Sequence, residues 1–506
     1  MKTKIKIIGS GFAGLSAACS LAQKGFDVTI FEKNEQIGGR ARQFKSKGFT
    51  FDMGPSWYWM PDVFESFFNR FDYSVADFFD LKKLDPGFNI FFGKENKMPI
   101  PADIESIYKL FESKEPGSSK QLKKFLKEAA YKYEVGINDL VYQPGLSITE
   151  FMDSRLLKSL FKMGVFSSFS KHVRKHFKNP ELIQLMEFPV LFLGAMPKDT
   201  PALYSLMNYS ALAQGTFYPM GGMFEIVNAM AKVAINLGVK IETNAEVNRI
   251  LVQNGKVVGL EVNSQKIETD YVIAAADYHH VEQHLLEKKY RQYTEKYWDS
   301  RTFAPSSLIF YLGVDKKVKN LNHHNLFFDE DFEQHAIEIY KKPAYPKKPL
   351  FYVCCPSKTD DSVAPKGKEN IFVLIPLAPG LKDGKEYREN LFNHVMDRLE
   401  GIIGDEIRPH IIYQKSYSVD NFIEDYNAYK GNAYGLANTL FQTAMFKPKI
   451  KSQKIENLYY TGQLTSPGPG VPPSLISGIV VSNLIEKKLN NHSLTTLNSP
   501  THESIV

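Results

Sequence analysis

The stretch KIKIIGSGFAGLSAACSLAQKGFDVTIFE, residues 4–32, constrains the fold more than any other. Lys4 to Ile8 alternates and then runs apolar, as a buried strand does. Gly9-Ser10-Gly11-Phe12-Ala13-Gly14 follows at once, then the helical LSAACSLAQKG, then a second strand, DVTIF, ending at Glu32. Each part has a mechanical reason. Gly9 permits a tight turn, Gly11 lets the backbone approach a pyrophosphate, and Gly14 lets helix and strand pack closely. The phosphates would rest on the helix N-terminus, whose unpaired N–H groups and dipole favour negative charge. Glu32 stands at the end of the second strand, where a carboxylate can accept hydrogen bonds from ribose hydroxyls. A lone glycine fingerprint matches many surface turns. Strand, glycines, helix, strand and acid in register predict an α/β chain with a Rossmann-like dinucleotide domain at its front.

The fingerprint does not separate NAD from FAD. In GGRARQFKSKGFTFDMGPS, residues 38–56, a glycine pair and Arg40 suit a second approach to the pyrophosphate. Read alone, Arg40 or Arg42 could equally be a solvated surface cation. FTFD and MGP predict a short strand and a sharp turn at Gly54-Pro55, with Trp57 and Trp59 just beyond. Near the other end, TGQLTSPGPGVPPSLISG (461–478) carries four glycines, four prolines and no charge before a helical SLISGIVVSNLI.

Composition narrows the partners. A net charge of +6 over 506 residues gives no concentrated basic stripe, which argues against nucleic acid. The three cysteines, Cys19, Cys354 and Cys355, form neither a disulfide framework nor a metal-type spacing, so a reducing cytoplasm is expected. His323 and His324, if on a strand, point to opposite faces, and no metal site is expected there. The 37 Phe and 26 Tyr imply either a large aromatic core or a cavity for a big apolar ligand. Lys2, Lys4 and Lys6 before an apolar run imitate a signal peptide, but the glycine spacing explains that run better. FPVLFLGAMP (188–197) and the closing apolar run are both too short to span a bilayer, leaving a soluble or membrane-surface protein.

In the middle of the chain, residues 99–134 read as helical. Leu157, Phe161, Val165, Phe169, Val173 and Phe177 recur every fourth residue among lysines and arginines, without an acid. Such a helix either lies in a membrane interface or packs on the core with a solvated basic face. Residues 215–277 offer YPMGGM, an Ala- and Val-rich helix, and a meander of VNRILVQ, KVVGLEV and DYVIAAAD with a type I′ turn at Asn254-Gly255.

GSGFAGLSAA, FEKNEQIGGRA and GFTFDMGPS together resemble the FAD-binding amino-terminus of the bacterial carotenoid desaturases of the phytoene desaturase family, within the flavin amine-oxidase and protoporphyrinogen-oxidase group. The resemblance spans about residues 4 to 487. It implies a Rossmann-like FAD-binding domain of the glutathione-reductase/amine-oxidase type, with a discontinuous substrate domain. The FAD domain would comprise residues 1–98, 215–289 and 442–487, the substrate domain 99–214 and 290–441, and a disordered tail 488–506. FAD would be held by Gly9, Gly11, Gly14, Glu32, Lys33, Gly39, Arg40, Gly54, Pro55, Val247, Gly462, Gly470 and Val471.

The implied substrate is a long apolar carotenoid, most simply phytoene converted stepwise to lycopene by hydride transfer to flavin. Relatives act as 3,4-desaturases, C30 desaturases or isomerases. Amine or porphyrinogen oxidation, and non-redox prenyl-binding escort proteins, are the competing readings, although the escorts lack an intact flavin site. The enzyme would sit peripherally on the cytoplasmic membrane surface and return electrons to oxygen or a quinone. Glu150, in LSITEF, matches a family acid considered as a base, while Asp153 replaces a nearby family arginine. Ser466 stands where the family commonly has histidine.

Overall fold

The computed structural model describes residues 2–146, 164 and 167–497. Three distant parts of the chain build one parallel sheet. Its order is Leu458–Tyr460, Tyr271–Ala274, Lys4–Ile8, Asp27–Phe31 and Lys240–Glu242, and every neighbouring pair is parallel. Ile5, Ile7, Val28, Ile30, Val272 and Ile273 are buried there, as expected of a sheet covered on both faces. The first helix, Phe12–Gln23, packs against the last, Val471–Leu497. Ser16 Oγ donates to the Leu475 carbonyl at 2.7 Å. At Gly478 a Cβ atom would stand 2.4 Å from the Ala13 carbonyl oxygen, so only glycine permits this approach.

The second sheet has seven strands in the order Ile411–Tyr417, Ser306–Val314, Glu369–Leu377, Phe351–Cys354, His324–Phe327, Phe88–Gly93 and Asn96–Ile100. It is antiparallel except where His324–Phe327 meets Phe88–Gly93. Alternation divides its faces. Phe310, Leu312, Val373 and Ile375 pack with Leu391, Val395 and Leu399 of the helix Lys385–Ile403. The other face presents Ile309, Leu374, Tyr352, Leu326 and Ile90 as one cross-strand row.

Four details differ from the sequence reading. Phe88–Gly93 and Asn96–Ile100 belong to the seven-stranded sheet, so the first boundary lies before residue 88, not at 98; their buried Phe88, Ile90, Met98 and Ile100 extend the cavity-facing side of that sheet. Residues 99–134 begin with the end of that strand, and only then come helices Ile104–Lys114 and Ser118–Val135. The meander has a third strand, Gln265–Glu268, while Tyr271–Ala274 joins the parallel sheet instead. The final helix continues to Leu497, so residues 488–497 are helical and not part of a disordered tail. Lys488 Nζ pairs with Glu456 at 3.1 Å and Leu489 packs on the core, extending the tertiary support past residue 487. The Asn254-Gly255 turn has positive φ at both residues, as a type I′ turn requires.

The basic segment is not one helix across residues 157–178. Gly164 is in a turn, Ser168 caps a new helix, Phe169–His176, and residues 157–163, 165 and 166 lie outside the described residues. Phe169, Val173 and Phe177 are fully buried, with Phe177 against Phe111 and Phe125 at ring separations of 5.4 and 6.1 Å. Lys171, Arg174, Lys175 and Lys178 face solvent. For this part the core-packed reading holds. Phe177→Ala is expected to cost about 3–5 kcal/mol in chemical denaturation, whereas Lys171→Ala should change stability by less than about 0.5 kcal/mol.

Candidate functional site

The first helix starts directly from the glycine turn, and its N-terminus faces a cavity of about 450 Å³. Gly9, Gly11, Glu32, Lys33, Gly39, Arg40, Gly54, Pro55, Val247, Gly462, Gly470 and Val471 all line this one space. Gly14 does not. A Cβ there would fall 2.1 Å from the Gly9 carbonyl oxygen and 3.3 Å from Ala275 Cβ, so Gly14 serves the helix–strand packing assigned to it. Gly11 is the opposite case: a Cβ there would meet no protein atom within 4 Å and would project into open space.

Glu32 is buried, and its carboxylate accepts from Ser10 N at 3.0 Å, Ser10 Oγ at 2.6 Å, and both nitrogens of Asn34 at 3.0 Å. It therefore ties the glycine turn to the second strand, and a ribose hydroxyl would share or replace one of those donors. Lys33 Nζ donates to the Glu424 carbonyl at 2.6 Å, which fixes its charge at the rim.

Neither arginine of the GGRAR run is a free surface cation. Arg42 is buried and paired with Asp425. Arg40 Nη2 donates to the Asn432 carbonyl at 3.2 Å, its guanidinium lies 5.1 Å from the Tyr426 ring, and its Nε is buried without a hydrogen-bond partner. Across the cavity wall, Asp277 Oδ2 is also buried and unpartnered, while Oδ1 caps the Tyr278–His280 turn at 3.2 Å. Burial pushes the Asp277 carboxyl up, and nearby Arg40 opposes that shift. Two unsatisfied polar groups of opposite character, beside a helix N-terminus and an open glycine, fit a phosphate-and-ribityl ligand. Asp277 was missed in the sequence, although it directly follows the small Ala274-Ala275-Ala276 run. Tyr426, Asn427 and Ala433 also line the cavity, and the Asn432 carbonyl holds Arg40.

The terminal loop closes the space from the far end of the chain. Gly462 N donates to Ser477 Oγ at 3.0 Å and Thr465 Oγ1 donates to the Gly462 carbonyl at 2.9 Å, folding the loop onto the last helix. Pro472, Pro473 and Ser474, in its first turn, line the cavity. Ser466 is buried behind the loop near Ala444 and is not among the lining residues. Glu150 and Asp153 lie outside the described residues.

Beyond the glycine walls the cavity continues over the seven-stranded sheet and becomes apolar. Ile309, Leu326, Leu374, Phe188, Phe328 and Ile339 line it, with Trp57 and Trp59. His323 and His324 are not on opposite faces. The strand begins only at His324, so alternation does not apply to its predecessor, and the two rings lie 4.5 Å apart. Burial holds both imidazoles neutral, with His323 pushed down to about 3. Their Nδ1 atoms are engaged by Thr359 Oγ1 at 2.8 Å and Tyr352 Oη at 2.6 Å.

Residues 12–485 match the family model of flavin containing amine oxidoreductases. A carotenoid 3,4-desaturase from Haloarcula japonica is 41% identical over 94% of this chain and 96% of its own length. The chain belongs to the carotenoid desaturase family, within the flavin-containing amine oxidoreductases. A zeta-carotene-forming phytoene desaturase from Myxococcus xanthus is 29% identical over 95% of this chain and 93% of its own. A CLA-producing fatty acid isomerase from P. acnes shares the fold, with a TM-score of 0.62 at 15% identity, covering 96% of this chain and 98% of that one. As a member of this family the enzyme is an FAD-dependent oxidoreductase, and the glycine-walled slot with Arg40 and Asp277 is where its residues fit that cofactor.

Proposed function

We propose that the enzyme introduces C=C bonds into a long linear carotenoid, acting at its 3,4 position. The observation that carries this reading is the continuity of one cavity from the nucleotide slot to an apolar floor built by the row Ile309, Leu374, Tyr352 and Leu326. FAD, when bound, supplies the hydride acceptor. The chain's own part is to hold a hydrocarbon without polar handles against it and to keep water out. Ile309, Leu374 and Leu326 give a floor without hydrogen-bonding groups, and the uncharged terminal loop keeps the facing wall free of ions. The 41% identity to a 3,4-desaturase favours that position. Stepwise conversion of phytoene to lycopene is the second reading, supported by the phytoene desaturase relative.

Expression in cells accumulating lycopene, and separately phytoene, tests both. The expected result is a red-shifted product from lycopene. A coloured product from phytoene alone would favour the second reading, and no new pigment in either host would overturn carotenoid desaturation.

A substrate of this kind resides in membranes, and the reading includes peripheral attachment. Among the described residues no helix is long and apolar enough to cross a bilayer. Phe441 and Phe446 are 73% and 50% exposed, with ring centroids 6.1 Å apart. Lys449 Nζ bridges the Met445 and Leu146 carbonyls, bringing the exposed Leu146 beside this pair. Phe441→Ser with Phe446→Ser is expected to lower the vesicle-bound fraction in flotation at least about tenfold, since each phenyl ring contributes on the order of 1.5–3 kcal/mol on burial.

A further inference from the structure

Desaturation removes a hydride and a proton from adjacent carbons, and the one candidate base of the sequence, Glu150, lies outside the described residues. Behind the wall of the main cavity lies a second, separate chamber of about 20 Å³, with room for one water. Asp52, Ser56, Tyr218, His323 and Cys354 line it. Ser56 lines both spaces, and it is the one hydroxyl-bearing side chain they have in common. Tyr352 Oη contacts Ser56 Oγ at 3.0 Å and is itself anchored by His324 Nδ1 at 2.6 Å, so the Ser56 hydroxyl is held at the partition.

We propose that Asp52 is the acceptor of the proton lost from the substrate carbon, reached from the apolar cavity through Ser56 and the chamber behind it. This inference rests on the desaturase reading above. The step balances as a relay. The substrate C–H electrons become the second pair of the C=C bond, and the proton forms an O–H bond at Ser56 Oγ. The hydroxyl proton of Ser56 passes to water, and a water proton passes to an Asp52 carboxylate oxygen. The hydride lost from the neighbouring carbon goes to oxidised FAD, the oxidant the family supplies.

Asp52 has the capacity for this. Its Oδ1 accepts from Gln43 Nε2 at 3.1 Å and Phe224 N at 3.3 Å, and its Oδ2 accepts from Met223 N at 2.7 Å. A carboxylate offers about four acceptor positions, which leaves one on Oδ2. Burial, aided by the Glu225 charge, pushes the carboxyl up to about 6 against those three hydrogen bonds. The other groups of the chamber keep one state near neutrality. Burial holds His323 neutral at about 3, the Cys354 thiol protonated up to about 12, and the Tyr218 phenol protonated. Asp360, which accepts from Tyr218 Oη at 3.3 Å and Gly221 N at 2.7 Å, is held below its ordinary value and stays ionised. Asp52 alone changes charge in the useful range, and a delocalised carbocation is acidic enough to protonate such a base.

Ser56→Ala breaks the relay and leaves the Asp52 hydrogen bonds intact; Asp52→Asn removes the acceptor. Both are expected to lower kcat about 100-fold, in the range of general-base contributions, with FAD content and carotenoid affinity unchanged. Wild-type kcat should fall as pH drops through about 6, where Asp52 protonates, and this acid limb should vanish in Asp52→Asn. In the flavin-free protein, a carboxylic C=O stretch lost in Asp52→Asn should titrate near the same pH. A Ser56→Ala enzyme within threefold of wild type would overturn the proposal, as would an acid limb that persists in Asp52→Asn. So would a loss of activity that tracks lost flavin or substrate binding, because Asp52 would then only be holding the 222–224 turn. If wild type desaturates no carotenoid, the desaturase reading and the acceptor role fail together, while the infrared titration still reports Asp52 independently.

Discussion

Gly14→Val should yield protein that purifies without flavin absorbance and melts well below wild type, whereas Gly11→Ala should lose flavin affinity alone. The two positions lie three residues apart in one fingerprint, yet they meet different surroundings. A Cβ at Gly14 would stand 2.1 Å from a backbone oxygen of Gly9, and backbone cannot yield as a flexible side chain can. Helix Phe12–Gln23 would have to lift from its strand, taking its buried partners in the last helix with it. Overpacking of this kind costs on the order of 1–3 kcal/mol or more. At Gly11 a methyl group meets nothing within 4 Å, so the protein itself is unaffected. What it fills is the space through which the backbone would approach a pyrophosphate. Thermal melting of the apoprotein with parallel flavin titration separates the two. Equal destabilisation by both substitutions would contradict the slot described above.

Arg40→Met should weaken FAD binding by about 100-fold, equivalent to about 2.7 kcal/mol. Hydrogen bonds to charged groups contribute about 1.5–3 kcal/mol each, and Arg40 lines the cavity with its Nε buried and unpartnered. Its aliphatic replacement keeps the packing against Tyr426 but removes the cation. Asp277 then loses the charge that does most to moderate its burial. A carboxyl raised by burial is least favourable when ionised, so its protonated form is what the fold tolerates. The stability deficit of the variant should therefore grow as pH rises above the ordinary carboxylate range and shrink on acidification. Flavin titration and melting at two pH values check both parts.

The nucleotide half was legible because its signals are local. Strand, glycines, helix and acid follow one another within residues 4–32, and the terminal loop announces itself by composition. Thirteen residues were assigned to the cofactor; twelve line one cavity and Gly14 supports its packing. The parts that escaped depend on distant partners. Asp277 carries no signature of its own and matters because Arg40, from another element, lies near it. The chamber of Asp52 and Ser56 exists only where residues 52–56, 218, 323 and 354 converge. The alternation rule failed at His323 because a strand's first residue cannot be read from sequence alone, and the first domain boundary slipped because the Phe88–Ile100 hairpin pairs with a strand more than 200 residues later. The basic amphipathic pattern was right about which residues face inward between 169 and 177, and wrong in carrying one helix back to Leu157, because Gly164 turns the chain and Ser168 caps a new start.

Gly478 lies against Ala13, and Leu458–Tyr460 completes the sheet begun by Lys4–Ile8. In a living cell this has a temporal meaning. The fingerprint at residues 9–14 leaves the ribosome well before residues 458–478, against which it packs. At about 5–20 residues per second, roughly 25–100 s separate the two. Cofactor capture therefore awaits residues 458–478, and products that stop before them leave the face of the first helix that meets Val471–Leu497 uncovered. Such fragments are targets for chaperones and proteases, and free flavin in the cell cannot rescue them.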